Sequence, residues 1–274
     1  MALLGRRLAV SIPDTVTEEK ESPRDKIVKL GAIARASAIY GVDVIEVFRD
    51  PKGRGEGEAV GTVLQYLETP QYLRRRLFPL NETLRFAGLL PPLRIPSHKP
   101  RVPFDRISVG EVREGIVNGD GTIDIGLDVA PRLESAPPAG SRATVRISST
   151  HPPVAEVVTK ERAGVYWGYS VEMTQMEEVF TDARFKIKVA TSRFGIPLQD
   201  ALGRLRDSLG GADGVKVIFG SPSRGLFDMA GPDLDKKVDL VLNLFPAQQV
   251  ETVRTEEALF AGLGLLSLLS LEKA

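Results

Sequence analysis

The sequence predicts an α/β domain built on a parallel sheet and interrupted by a small inserted antiparallel β-barrel. Three observations carry this. Up to Leu90, strand-like and helical patterns alternate; a proline-rich stretch then opens a run of short strands; beyond "YWGY" the α/β alternation returns.

Taken in order, Arg6–Pro13 reads as a short strand. Lys20–Tyr40 reads as a helix, because Ile27, Leu30, Ile33, Ala34 and Ala38 recur at helical spacing and Gly41 stops it. "VDVIEVFRD" follows as a buried strand, and "EGEAVGTVLQYLETPQYLRRRLF" as a second helical segment broken near Pro70. "PPLRIPSHKPRVPF" holds five prolines in 14 residues and reads as a linker. From Asp105, "RISVGEVREGIV", "TIDIGLD", "SRATVRISS" and "PVAEVVTKERAGVYWGYSVEM" are strand-like, with hairpin chemistry in "NGDGT" and "PPAGS" between them. About five such strands suit a barrel of the OB kind. "TDARFKIKVATSRFG", "PLQDALGRLRDSL", "GVKVIFGSPSRGL", "KKVDLVLNLFP" and a final helix resume the α/β order. The expected divisions are residues 1–92 and 166–274, two parts of one domain, with 93–165 as the inserted barrel.

Composition narrows the chemistry. A chain of 274 residues, 42% hydrophobic and 26% charged, can bury an ordinary core. Its formal net charge is zero, so any argument for a polyanionic partner must be local. The absence of cysteine excludes disulfides, iron–sulfur clusters, thiolate zinc sites and cysteine nucleophiles. His98 and His151 are the only imidazoles, too few for a histidine metal site; no metal is expected. "MALLGRRLAVSIPD" reads as a strand after a basic tip rather than a cleavable segment, and the apolar run Ala258–Leu271 is too short to span a bilayer. The expected protein is cytoplasmic, with no membrane partner.

Three strand ends run into loops of small and polar residues: Thr191-Ser192, Gly220-Ser221-Pro222-Ser223-Arg224-Gly225, and the turn from Asn243 to Thr255. Ligands of parallel α/β sheets bind beyond the carboxyl ends of strands, so these loops outline a cofactor pocket, although any one of them also reads as a plain turn. Gly220–Gly225 has the glycine spacing of a Walker A loop but lacks the Lys-Ser/Thr that follows it, and no Gly-x-Gly-x-x-Gly follows a strand; both absences argue against ATP and NAD. Thr255, Glu256 and Glu257 make a helix start, the hydroxyl as N-cap and the carboxylates facing the positive end of the dipole. Those glutamates either serve only the helix terminus or also face a cationic ligand. The helix beyond is apolar nearly all round (Leu263, Leu265, Leu266, Leu268, Leu269, Leu271), so it must be covered on two sides, the second by a partner subunit.

"FGSPSRGL", "NLFPAQQVETVRTEEALFAGLGLLSLL" and "KLGAIARASAIYGVDVIEVFRD" together resemble the SPOUT superfamily of knotted methyltransferases, and more narrowly its archaeal and eukaryotic branch with a β-barrel inserted in the catalytic domain. The resemblance covers nearly the whole chain. It implies a C-terminal trefoil knot whose loops hold S-adenosylmethionine in a bent shape; the homodimer is expected from the apolar last helix. Carried onto this sequence, it assigns the cofactor to Thr191 and Ser192, to Phe219, Gly220, Ser221 and Pro222, and to Leu242, Asn243, Leu244, Phe245, Gln248, Val250, Thr252 and Val253. Arg35 matches an arginine that approaches the substrate base. Many SPOUT enzymes end the last loop in Ser-Leu-Asn after glycines; "VETVRTEEA" departs from that and fits the narrower branch.

The implied reaction is methylation of an RNA base, of ribosomal RNA and at uridine N3 in this branch. Arg35 stays protonated and so would stabilise a developing base anion, while Glu256 and Glu257 are the candidate bases. Between Pro70 and Arg106, eight Lys/Arg face only Glu82 and Asp105, a local net charge of +6. Arg74, Arg75, Arg76, Arg94, Lys99 and Arg101 are the candidate phosphate contacts. Tyr166, Trp167 and Tyr169 offer base stacking, or simply a core tryptophan. The alternative function is an RNA-binding protein of the same fold that has lost catalysis.

Overall fold

The computed structural model describes residues 7–18, 22–210 and 213–271. The expected strand start at Arg6, the helix start at Lys20 and the side chain of Leu271 lie outside the described residues. Two compact units emerge. One gathers the described residues of Met1–Leu67, Thr83–Pro91 and Tyr169–Ala274; the other gathers Glu68–Glu82 and Pro92–Gly168.

The first unit is mixed α/β around a six-stranded parallel sheet. Its strands are β1 (Arg7–Pro13), β2 (Val44–Arg49), β8 (Ser170–Gln175), β9 (Ile187–Pro197), β10 (Gly214–Ile218) and β11 (Leu240–Asn243), in the order β11-β9-β10-β1-β2-β8. β1 sits at the centre and is buried from Leu8 to Pro13, as a strand covered on both faces must be. Helix α1 (Pro23–Ile39) begins where the Ser22 hydroxyl accepts the Asp25 N–H at 3.2 Å with Pro23 at the first turn. It ends in a Schellman arrangement: Gly41, at φ +67°, donates to Ala38 O, and Val42 donates to Ser37 O at 2.9 Å. The last helix, α7 (Thr255–Leu271), packs against α1. Leu259, Leu263, Leu266 and Leu269 form its buried stripe, whereas Phe260 and Leu268 are exposed. Across the sheet, Phe48, Ile218, Leu226 and Met229 belong to one core cluster. Lys216, in mid-sheet, is fully buried yet satisfied: Nζ reaches Glu46 at 2.8 Å and Asp182 at 2.9 Å.

The second unit contains α3 (Gln71–Leu77) and a five-stranded sheet of β3 (Val112–Val117), β4 (Ile123–Asp124), β5 (Arg132–Leu133), β6 (Arg142–Thr150) and β7 (Pro153–Val157), in the order β4-β3-β6-β7-β5. The pairs are antiparallel except β5–β7, which is parallel, and a bridge between Thr122 and Arg132 links the two ends of that order. Ile107, Ile123, Val145, Ile147 and Ala155 fill its core. Residues 68–82, which the sequence groups with the N-terminal part, are gathered here because Tyr72 and Leu73 pack on Ile116 and the Tyr72 hydroxyl donates to Glu114 O at 2.7 Å.

Arg142 organises the polar interior of this unit. Its guanidinium meets Glu68 at 2.7 Å and Glu114 at 2.8 Å, both carboxylates almost fully buried. Glu114 also accepts from Trp167 Nε1 at 2.6 Å and from the Thr144 hydroxyl. Burial pushes the Glu68 carboxyl up, with Arg142 and Lys160 opposing. For Glu114 burial acts the same way but is outweighed by Arg142 and Thr144, leaving its carboxyl below the usual range.

"SVEM" lies in β8, which pairs in parallel with β2 in the larger sheet. Several sequence expectations need correction. Trp167 and Tyr169 are buried, one donating to Glu114 and the other to Leu64 O, so neither face is open for stacking. Two short helices were not anticipated, α4 (Met176–Thr181) and α6 (Leu226–Ala230).

Candidate functional site

In the first unit, the ends of β9, β10 and β11 and the start of α7 surround a cleft of about 310 Å³. The physical cause is that parallel strands deliver all their following loops to one edge.

Thr191-Ser192, expected as a loop, instead continues β9, whose second half runs along the cleft, with Thr191 Oγ1 donating to Ile218 O at 3.1 Å and Ser192 Oγ accepting the Phe194 N–H at 3.2 Å. The loop after β10 turns tightly: Ser221 N donates to Arg224 O, and Ser221 Oγ accepts from Arg224 N at 3.1 Å. Phe219 beneath it is buried. The loop after β11 is shaped by Asn243, whose Oδ1 accepts from Phe245 N at 3.0 Å and whose Nδ2 donates to Arg193 O at 2.9 Å. Gln248 Nε2 donates to Val250 O at 2.9 Å.

Most of the expected cofactor residues meet at this cleft. Thr191, Ser192, Phe219, Gly220, Ser221, Pro222, Asn243, Leu244, Phe245, Gln248, Thr252 and Val253 all line it. Leu242 and Val250 do not: Leu242 points into the core and Val250 is exposed. The cleft is also lined by Ser223, Arg224, Gly225, Glu251 and Thr255, which lie in the expected loops but were not assigned individually, and by Arg193, Phe194, Asp228 and Ala258, which the sequence missed. Arg193 and Phe194 directly follow Thr191-Ser192, and Asp228 lies three residues beyond "GSPSRG".

The start of α7 differs from expectation. Thr255 is the first helical residue, not the cap, and its hydroxyl donates across to Gly220 O at 2.9 Å, tying α7 to the loop after β10. The cap position falls on Arg254, whose N–H is taken by the Glu257 carboxylate at 2.9 Å, one half of a capping box. Glu256 is used otherwise. Its Oε2 is buried with no hydrogen-bond partner among the described residues, and burial pushes its carboxyl up, opposed by its own backbone N–H and by Lys29.

Arg35 lies on the exposed side of α1, outside the cleft lining. The candidate phosphate contacts all fall in the second unit. Arg75, Arg94 and Arg101 are exposed; Arg74 donates to Thr69 O at 2.8 Å, Arg76 to Asn118 Oδ1 at 2.8 Å, and Lys99 to Glu111 at 3.1 Å. Among the described residues, no His/Asp/Glu group could hold a metal ion, and no helix is long and apolar enough to cross a membrane.

The chain thus combines a parallel α/β unit, with a cleft of about 310 Å³ at its strand ends, and a small β-rich unit. Residues 7–266 match the family described as "Putative RNA methyltransferase", and the chain belongs to that family. It is 36% identical to an uncharacterized protein of Halobacterium salinarum, over 95% of this chain and 98% of that one. It is 33% identical to the 28S rRNA (uridine-N(3))-methyltransferase of Homo sapiens, over 94% of this chain and 77% of the human protein. The Drosophila melanogaster protein of the same name is 29% identical, over 94% of this chain and 61% of its own length.

Proposed function

We propose that this protein is an S-adenosylmethionine-dependent methyltransferase acting on ribosomal RNA, with N3 of a uridine as acceptor. The observation that carries the reading is the meeting of the second half of β9, the loops after β10 and β11 and the α7 N-terminus at one cleft, in a chain whose similarity to named uridine-N3 methyltransferases spans nearly its full length. The residues present suit S-adenosylmethionine. Phe219 offers an apolar wall for the adenine, and Gly220 lets the loop after β10 close tightly at the cleft, since a Cβ there would lie 3.0 Å from Arg224 O. Bound there, the cofactor supplies a sulfonium methyl for in-line transfer; the protein supplies alignment.

An N3 acceptor must lose its proton. Neither candidate base lines the cleft; of the two, Glu257 is occupied by the Arg254 N–H, whereas Glu256 has an unpartnered buried oxygen and a carboxyl raised by burial, which makes Glu256 the more available. Arg35 would stabilise the negative charge that develops on the base.

The same reading takes the first unit as a SPOUT domain with a trefoil knot and the second as an OB-like barrel that grips RNA. The close backbone approach of Gly195 to Val241 and Leu242, and the bridge between Thr122 and Arg132, are in keeping with these. It also takes the protein as a cytoplasmic homodimer, in which a second copy would cover Phe260 and Leu268. Calorimetric titration with S-adenosylmethionine tests the core of the reading: the intact protein should bind it and Arg35→Ala should bind it equally well while transferring methyl about 10²-fold more slowly. An intact protein that does not bind the cofactor would refute the reading.

A further inference from the structure

With Trp167 and Tyr169 buried, the aromatic surface for RNA must be sought elsewhere. Among the described aromatic side chains only Phe194 and Phe260 are exposed. Phe260 packs edge-on against Tyr40 at 5.6 Å. Phe194 is 70% exposed and lines the cleft.

The backbone around Phe194 is anchored. Its own N–H bonds Ser192 Oγ, the preceding carbonyl accepts from Asn243 at 2.9 Å, and the following Gly195 lies against the backbone of Val241 and Leu242. The Arg193 guanidinium stands over the ring, 4.8 Å from its centroid, and Phe227 meets it edge-on at 6.5 Å. A lone exposed phenylalanine requires no explanation. A rigidly carried one, at the lip of a cleft and with a cation stacked on it, is a built surface.

We propose that Phe194, backed by Arg193, is the platform on which a base of the RNA substrate stacks as it enters the cleft. The ring supplies the π-face that any base accepts, and Arg193 supplies positive charge for the adjoining phosphate. The cofactor is the less suited occupant, since a sulfonium would be placed beside a guanidinium, and Phe219 already offers a deeper apolar wall. Because stacking tolerates any base, Phe194 positions the nucleotide and does not select it. This inference rests on the reading of the cleft as the methyl-transfer site.

The test compares wild type, Phe194→Ala and Phe194→Trp for affinity to a fluorescein-labelled oligouridylate by anisotropy, and to S-adenosylmethionine by calorimetry. Phe194→Ala should weaken RNA binding about five-fold or more, Phe194→Trp should restore it, and cofactor affinity should hold within about two-fold in both. Equal RNA affinity in wild type and Phe194→Ala overturns the platform. So does a loss of cofactor affinity with RNA affinity unchanged, which would make the ring a cofactor wall. The two titrations keep the claims apart: the RNA comparison judges Phe194, and cofactor binding by the intact protein judges the reading of the cleft.

Discussion

Arg224 grips Asp50 twice, with Nη2 2.6 Å and Nε 3.0 Å from the same carboxylate oxygen. The same guanidinium reaches Glu18 at 3.0 Å and Lys52 O at 3.1 Å. One side chain of the loop after β10 thereby ties the loops that follow β1 and β2 to a wall of the cleft. Asp50 is buried and its other partners are Thr15 Oγ1 and the Lys52 N–H, so removal of Arg224 leaves a carboxylate without its counter-charge. Arg224→Ala should cost about 2–3 kcal/mol in urea denaturation, a partly exposed version of breaking a buried pair. It should also weaken S-adenosylmethionine binding. Arg224→Lys keeps the charge but loses the two-pronged geometry, and should fall between.

Glycine substitutions should separate folding from binding. A Cβ on Gly195 would stand 2.6 Å from Val241 O and 2.7 Å from Leu242 C, both backbone atoms that cannot turn aside. Gly195→Ala should therefore destabilise by about 1–3 kcal/mol. On Gly220 the nearest atom is Arg224 O at 3.0 Å, a milder clash at the cleft wall, so Gly220→Ala should harm cofactor affinity more than melting temperature. Gly203, in α5 (Leu198–Gly210), has nothing within 4 Å; Gly203→Ala should raise stability by roughly 0.4–1 kcal/mol.

The two glutamates at the start of α7 should respond oppositely to substitution at neutral pH. Burial raises the folded-state carboxyl of Glu256, so the folded chain holds the proton more tightly than the unfolded one. Its contribution to stability is then complete below the ordinary glutamate range and is lost as pH rises through the raised value. Glu256→Gln, which stays neutral, should be more stable than wild type at neutral pH, and the two should converge in acid. If Glu256 is the base, methyl transfer by wild type should climb with pH through the same window and Glu256→Gln should lose that limb. Glu257→Ala should instead lower stability at neutral pH by removing the acceptor for Arg254 N–H. Equal pH profiles for wild type and Glu256→Gln would remove Glu256 from the reaction.

The second unit should depend on Arg142. Its loss would leave Glu68 and Glu114 buried without their shared guanidinium, although Lys160, Thr144 and Trp167 remain near them. Arg142→Ala should cost about 2–4 kcal/mol, since Arg142 itself is partly exposed. Arg142→Met, of similar length and no charge, should do no better, because both carboxylates keep their burial. Denaturation followed by Trp167 fluorescence reads the change at the site, through its bond to Glu114.

What the sequence disclosed followed from local periodicity and turn chemistry. The helix ending at Gly41, the buried strand "VDVIEVFRD" and the loops at Gly220 and Asn243 all carry their signals within a few residues, whereas Thr191-Ser192, which reads as a loop, continues β9 to Pro197. What it hid depends on partners distant in the chain. Nothing beside Trp167 announces its bond to Glu114, and nothing beside Thr255 announces that its hydroxyl turns to Gly220 O instead of capping its own helix. Arg224 was visible as a letter in "GSPSRG", but its role is set by Asp50, 174 residues away in sequence.

The central claim is that this chain transfers a methyl group from S-adenosylmethionine to a uridine of ribosomal RNA. Its most direct test is incubation of the purified protein with unmodified ribosomal RNA and isotope-labelled S-adenosylmethionine, then digestion to nucleosides and mass spectrometry against a 3-methyluridine standard. The account predicts labelled 3-methyluridine with wild type and at least about 10²-fold less with Arg35→Ala. Label in a different nucleoside, or none in RNA while the protein binds both cofactor and RNA, would contradict it.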